Sequence, residues 1–160
     1  MFVRPFRTAD QPALLSLTIA TFGPFFEESF RSIVGDEIML NQHADWQTAY
    51  RRTWTDLHDP ANHRYVAVAE DDSTLLGFVA WQTDHERHNA KIEILAVDAA
   101  YRRHGIGTRL SEYAFAAMRD QGATVVSLGT GGDTFHDAAR ALYERLGMIA
   151  LPLVVYYRQL

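Results

Sequence analysis

The sequence predicts an α/β domain built on a mixed, twisted central sheet flanked by helices. Three observations carry that prediction. Strand-like apolar runs recur at Tyr65–Glu70, Leu75–Trp81, Ile92–Val97 and Ala123–Leu128, bounded by polar or glycine-containing stretches. Other stretches place apolar residues at helical spacing, as at Leu110, Tyr113, Ala114, Ala117 and Met118. The third observation is the join between these patterns: Ile92–Val97 passes through a glycine-containing loop straight into that helix, as a strand of a covered sheet does.

Taken in order, Phe2-Val3-Arg4-Pro5-Phe6 reads as a short edge strand, because Pro5 has no N–H for a ladder bond. Thr8 or Asp10 then caps a helix that accepts Pro12 in its first turn, turns Leu14, Leu15, Thr18, Ile19 and Phe22 inward, and is expected to end at Gly23-Pro24. A second short helix over 25–34 sets Phe26, Phe30 and Ile33 or Val34 against Glu27, Glu28 and Arg31 on its other side, and Gly35 closes it. Trp46, Tyr50, Trp54 and Leu57, spaced by four, four and three, put an aromatic stripe on a third helix within Asp36–His58. Such a stripe serves the core or walls a substrate cleft. Asp59-Pro60 breaks the helix, and Tyr65–Glu70 and Leu75–Trp81 form a hairpin about Asp71–Thr74. His85 and His88 lie in a polar loop with no further ligands nearby in sequence, so no metal is assigned. Beyond the central strand and its helix, Gly122 leads into a buried strand carrying Val125, Val126 and Leu128, and Gly129–Asp133 opens a roomy loop. A helix over Phe135–Leu146 stops at Gly147, and Leu153–Tyr157 reads as a last strand.

At 160 residues the chain is most simply one domain. With no cysteine it has no disulfide, thiolate metal site or cysteine nucleophile, which fits a reducing cytoplasm. The N-terminus lacks a secretory apolar core, and no run nears the ~20 apolar residues of a membrane helix; the expectation is a cytoplasmic protein without a membrane partner. A formal charge of -5 argues against nucleic acid, and Arg51-Arg52 between Tyr50 and Trp54 is the one local echo of a base-stacking face. The same charge suits a cationic partner or ordinary solubility.

The loop Tyr101-Arg102-Arg103-His104-Gly105-Ile106-Gly107-Thr108 ends at a helix start, where unpaired backbone N–H groups and the helix dipole favour an anion. A dinucleotide fingerprint would need glycine where Leu110 stands, and a nucleoside-triphosphate loop would end in Gly-Lys-Ser/Thr. Neither is present.

Arg102, Gly105 and Gly107 occupy the defined positions of Gln/Arg-x-x-Gly-x-Gly/Ala, and Ala139–Met148 is similar to Asn-x-x-Ala-x-x-x-Tyr-x-x-x-Gly-Phe. These two ordered motifs resemble those of the GNAT superfamily of acyl-CoA-dependent N-acetyltransferases. The resemblance covers the chain from about Tyr65 onward and implies one GNAT domain over 1–160, with an N-terminal strand and acceptor-side helices over 1–62 and an acyl-CoA-binding core over 63–160. It implies acetyl-CoA as the acyl donor, with the pyrophosphate held by Arg102, Arg103, His104, Gly105, Ile106, Gly107 and Thr108 and the pantetheine and thioester carbonyl by the backbone of Leu95, Ala96 and Val97. Glu27 and Glu28 fall in the region that lines the acceptor site in such enzymes; they meet a cationic acceptor or simply face solvent.

Tyr143 matches the tyrosine that protonates the leaving thiolate; a phenol near pKa 10 and a thiol near 8.5 are close enough for transfer across a short hydrogen bond. Glu93 is the only carboxylate inside the central strand pattern. As a base it should be partly desolvated with a raised pKa; as an edge charge it would pair with Lys91 or an arginine. Asp133 is the reserve base. Three residues depart from the motif pattern: Ala99 replaces proline, Met148 replaces phenylalanine, and His136 stands in place of asparagine, where it is expected to bond the pantetheine arm. The reaction expected is acetyl transfer to the primary amine of a small molecule, aminoglycoside-like if cationic, within a ternary complex, since no cysteine can carry an acyl group. A non-catalytic acyl-CoA sensor and a protein N-terminal or lysine acetyltransferase are the alternatives. Family members often dimerise, so a homodimer is expected as a partner state.

Overall fold

A computed structural model describes residues 1–160. Five strands lie in sequence order in one sheet: β1 (Phe2–Pro5), β2 (Arg64–Asp71), β3 (Thr74–Asp84), β4 (Asn89–Val97) and β5 (Val125–Ser127). The first four run antiparallel and β5 joins β4 in parallel, so the sheet is mixed as expected. Pro5 sits on the edge strand, where its missing N–H costs no ladder bond. The β2–β3 hairpin turns through Asp72 and Ser73, both at positive φ.

Each face of the sheet carries its own core. On one, α5 (Ile106–Asp120) lays Ile106, Leu110, Ala114 and Met118 over Val79, Trp81, Ala90 and Ile92. On the other, α1 (Gln11–Pro24) and α4 (Trp46–Thr55) bring Leu14 and Trp54 onto Val66, Val68, Phe78, Ala80, Ile94 and Ala96. The polar groups buried here are paired: Trp54 Nε1 donates to Thr18 Oγ1 at 3.1 Å, and Thr18 Oγ1 donates to Leu14 O at 2.8 Å. At the sheet edge Arg4 grips Asp10 through both Nη atoms, at 2.8 and 2.9 Å, and Glu70 through Nε.

The helix expected to stop at Gly23-Pro24 does not. It continues from α1 through a π-wound turn, Phe25–Phe30, into α2 (Arg31–Val34). Pro24 removes one ladder bond and crowds the preceding turn, a defect worth about 3 kcal/mol in a regular helix; the wide turn that follows accommodates it. Packing rewards the continuation. Phe26 stacks on Trp46 at 5.0 Å, and a Cβ on Gly23 would lie 3.3 Å from the Trp46 ring. The expected third helix divides into α3 (Asp36–His43) and α4 at Ala44-Asp45.

The C-terminal part departs most. β5 keeps three residues, and Val125 is 63% exposed where a buried residue was expected. The last helix is a 3₁₀ turn, Thr134–His136, followed by α6 (Asp137–Arg145). The expected strand over Leu153–Tyr157 does not form: residues 149–160 carry no regular structure and leave Leu151, Leu153, Val154, Val155 and Tyr156 in solvent. A strand needs a neighbouring ladder, and Pro152 has no N–H to offer one. Tyr157 alone among them finds a ring partner, edge-on to Phe30 at 5.8 Å.

Candidate active site

β4 and β5 pair only from Asn89 to Lys91 against Val125 to Ser127. Beyond Lys91 they part, and a cleft of about 640 Å³ opens between them. Ile92, Glu93, Ile94 and Leu95 line one side, and Leu128, Gly129, Thr130 and Gly131 the other. Ligands bind in open α/β sheets where strands separate at their carboxyl ends, because ladder groups there are left unpaired. His136, Ala139 and Tyr143 add a wall from the last helix, and Phe22, Phe25, Phe26 and Tyr50 close the cleft from the N-terminal helices.

A bulge in β4 shapes this opening. Opposite β3, Ala80 pairs with Ile94 and Trp81 with Ile92, so Glu93 is the residue left over. The extra residue reverses the alternation. Ala90 and Ile92 face α5, and after the bulge Leu95 and Val97 do so, while Ile94 and Ala96 face α1. Glu93 thereby reaches the cleft, but not as a desolvated carboxylate. Its side chain is 32% exposed and accepts from Lys91 Nζ at 3.1 Å.

The loop from β4 to α5 carries the candidate anion site. Arg102 Nε donates to Val97 O at 3.2 Å, tying the loop to the strand end. Arg103 adopts φ 68, and Gly105 at φ 75 precedes the first helical turn. A non-glycine residue in that region costs on the order of 1–3 kcal/mol and marks a loop held to shape by its surroundings. His104 Nδ1 lies 2.8 Å from Arg102 O. No side chain caps α5, so the N–H groups of Ile106, Gly107 and Thr108 have no intrahelical acceptor and face outward with the dipole. These donors, with Arg102 and Arg103 beside them, fit a pyrophosphate. A Cβ on Gly107 would lie 3.0 Å from Leu142 Cδ2, so the first turn of α5 packs against the residue preceding Tyr143. Burial pushes the Tyr143 phenol above its ordinary pKa of 10.0, and Tyr50, across the cleft, is pushed up to about 12 by the same cause.

Glu93, Leu95, His136 and Tyr143 therefore meet in one cleft. Glu27 and Glu28 do not line it; Glu27 accepts from Trp46 Nε1 at 2.8 Å and pairs with Arg31. Sequence reasoning missed Phe22, Phe25, Arg64 and Gln82 as lining residues, since nothing local in the chain marks a residue that only tertiary packing turns toward a cleft. It also named Asp133 and His136 separately without joining them. His136 Nδ1 lies 2.8 Å from Asp133 Oδ2, and the three-residue spacing at a helix start was the available signal.

The family model described as the acetyltransferase (GNAT) family matches residues 26–148. N-alpha-acetyltransferase 30 of Schizosaccharomyces pombe is 35% identical over 83 residues, covering 50% of this chain and 54% of that protein, so the chain spans about half the length of this curated relative. Among solved structures, a mutant protein from Bacillus halodurans superposes with a TM-score of 0.74 at 20% identity, covering 100% of both chains. AAC(6')-Iy, solved with the bisubstrate analogue CoA-S-monomethyl-acetylneamine, gives 0.70 at 15% identity over 99% of this chain and 97% of that one. The aminoglycoside 6'-N-acetyltransferase AAC(6')-IG from Acinetobacter haemolyticus gives 0.67 at 17% identity over 99% and 98%. At these identities the structural likenesses establish the fold.

Proposed function

The chain belongs to the GNAT acetyltransferase family, and from that premise we propose that it is an acetyl-CoA-dependent N-acetyltransferase acting on the primary amine of a small molecule by direct transfer in a ternary complex. The observation that carries this reading is the parting of β4 from β5 beside the uncapped start of α5, with Tyr143 and Glu93 in the opening. Acetyl-CoA, when bound, supplies the acetyl group as a thioester. The α5 first turn, Arg102, Arg103 and Thr108 would hold its pyrophosphate, and the unpaired edge from Leu95 to Val97 its arm. Tyr143, kept protonated by its burial, would give the departing sulfur a proton. Glu93, drawn into the opening by the bulge, would meet the positive charge of the incoming amine.

The acceptor side is largely aromatic, through Phe22, Phe25, Phe26 and Tyr50, and Glu93 is its one carboxylate. This supports a small amine with a substantial apolar body; the aminoglycosides in the names of the structural neighbours make a polycation the comparison to run. Thiol release from acetyl-CoA over a panel of aromatic amines, amino acids, polyamines, aminoglycosides and peptide N-termini, with acetyl-CoA binding followed by calorimetry, tests the proposal. Release with a small amine supports it; tight binding with no release from any acceptor refutes it in favour of a sensor.

The homodimer rests on a different observation. The largely apolar segment 149–157 lies mostly in solvent while β5 has one unpaired edge, which supports a contact in which the tail of one copy would meet β5 of a second. A chain ending at Met148 should be monomeric by light scattering. A dimer unchanged by that truncation refutes this contact.

A further inference from the structure

We propose that Asp133 and His136 form the proton-accepting dyad of the transfer, with His136 Nε2 taking the proton from the acceptor amine. The inference rests on the N-acetyltransferase reading above and assigns its base.

The pair is a built feature of the cleft. His136 and Asp133 retain 15% and 14% of their side-chain exposure and lie 2.8 Å apart through Nδ1 and Oδ2. Asp133 Oδ1 accepts from the Phe135 backbone N–H at 3.0 Å, which fixes the carboxylate at the head of the 3₁₀ turn. Burial works to raise the Asp133 pKa, but the hydrogen bond and charge of His136 and the backbone donors outweigh it, so the carboxyl stays below its ordinary 3.8 and ionised. Two aromatic rings also hold the imidazole. Phe25 meets it edge-on at 4.8 Å and Phe135 at 5.0 Å. Arg140 Nη1 donates to Asp133 O at 2.8 Å and also to Gly131 O, holding the glycine loop against the pair. A Cβ on Gly131 would collide with both Asp133 Oδ2 and His136 Nδ1, so the dyad occupies the space a side chain there would need.

An ionised carboxylate on Nδ1 selects the tautomer with its proton on that nitrogen, leaving Nε2 as an acceptor. Nε2 has no partner within the chain, and no buried side-chain nitrogen or oxygen lacks one, so Nε2 reaches solvent. His136 lines the same cleft as Tyr143, seven residues on, which places acceptor and donor on one face of the last helix. Glu93 also lines the cleft, but its carboxylate is engaged with Lys91. An asparagine, usual at position 136 in the resembling motif, could donate to the cofactor arm but could not take a proton; the histidine, its one ring proton directed at Asp133, gives up the expected arm donation and takes a proton instead.

The proton and electron count closes. The acceptor enters as an ammonium and passes one proton to His136 Nε2. Its nitrogen pair then forms the C–N bond as the C–S bond breaks and sulfur keeps the electrons. Tyr143 gives sulfur a proton and recovers one from the second N–H, and His136 releases its proton to solvent. The products are an amide, a free thiol and one proton. The charged and titratable groups around His136 are Asp133, Asp137 and Arg140 near it in the chain, with Tyr143 on α6, Glu93 from β4, Arg64 from β2 and Tyr50 from α4 lining the same cleft.

The test combines imidazole nitrogen NMR on the ligand-free protein with thiol release by His136→Asn, His136→Gln and Asp133→Asn. The wild-type protein should show a bare Nε2 in the neutral ring, and Asp133→Asn should populate the other tautomer. Both His136 variants should lose about 100-fold or more in kcat while acetyl-CoA affinity by calorimetry weakens by no more than about twofold. His136→Asn is the sharper variant, because it restores the arm contact but not the base. A protonated Nε2 in the neutral wild-type ring, or His136→Asn turning over within about threefold of wild type, overturns the dyad and leaves N-acetyltransfer standing. Wild-type protein that releases no thiol with any amine overturns the transfer reading and the dyad's role with it.

Discussion

Gly77→Ala adds one methyl group where β3, β4 and α5 leave no room for it. Gly77 is the β3 partner of Val97, the last paired residue of β4 before the anion-binding loop. A Cβ there would lie 2.6 Å from Ala96 O, 3.2 Å from Val97 Cα and 3.3 Å from Leu110 Cδ1. Leu110 can rotate slightly, but the carbonyl belongs to a strand paired over most of its length, so relief requires β4 and β3 to separate by more than half an ångström. Overpacking of this kind costs about 1–3 kcal/mol, which for a chain of this size lowers Tm by roughly 2–12 °C. The displaced end of β4 carries Val97, to which Arg102 is bonded, and Leu110 anchors the start of α5. Acetyl-CoA affinity should therefore fall together with Tm, with turnover at saturating acetyl-CoA affected less. Thermal unfolding and calorimetry on the same preparation decide it. A Tm within 1 °C and an unchanged Kd would show that the strand end and the anion loop are not coupled through this contact.

Three further predictions follow from individual side chains. Tyr143→Phe should lower kcat by about 10²–10⁴-fold, or roughly 3–5 kcal/mol of barrier, with acetyl-CoA affinity unchanged; because burial holds the phenol above 10.0, wild-type turnover should show no alkaline fall from Tyr143 below that pH. The Arg4–Asp10–Glu70 network should make the fold acid-sensitive. The Arg4 hydrogen bonds, opposed by burial, hold Asp10 below its ordinary 3.8, so its contribution is complete above about pH 4 and is lost as pH falls through the lower folded value. Urea midpoints measured at pH 5 and pH 3 should fall further for wild type than for Asp10→Asn, and parallel falls would exclude the linkage. Arg4→Met leaves two carboxylates partly buried without their partner and should cost on the order of 3–5 kcal/mol at neutral pH, read from urea unfolding.

The positions of the middle strands and the start of α5 were legible because both are written in local sequence. Apolar alternation marks β2, β3 and β4, and Gly105 before an amphipathic run marks the start of α5. The continuation of α1 past Pro24 was not legible, since the compensation comes from Trp46, more than twenty residues away. The tail failed for the opposite reason. Leu153–Tyr157 has strand composition, but strand formation depends on a neighbour, and β5 has its own partner only along three residues. In the site, Tyr143 came from a motif, whereas the bond between Asp133 and His136 is set by the 3₁₀ turn that brings the two onto one side.

The bulge in β4 ties the packing of the two cores to the cleft. Ile92-Glu93-Ile94-Leu95 starts as an alternating strand and then places two apolar residues side by side. Both faces of this sheet are covered, so the pair alone does not fix which residue faces which core. The structure gives Glu93 no partner opposite β3 and shifts the phase, so that Ile92 and Leu95 face α5 while Ile94 turns to α1. The same extra residue bends β4 and raises its local twist, immediately beyond the last residue paired with β5. Core packing and cleft formation thus share one cause. Glu93, as the extra residue, shifts the phase that sorts Ile94 and Leu95 between the two cores and bends β4 just past its last pairing with β5, and the backbone edge beside Tyr143 and His136 is left without a strand partner.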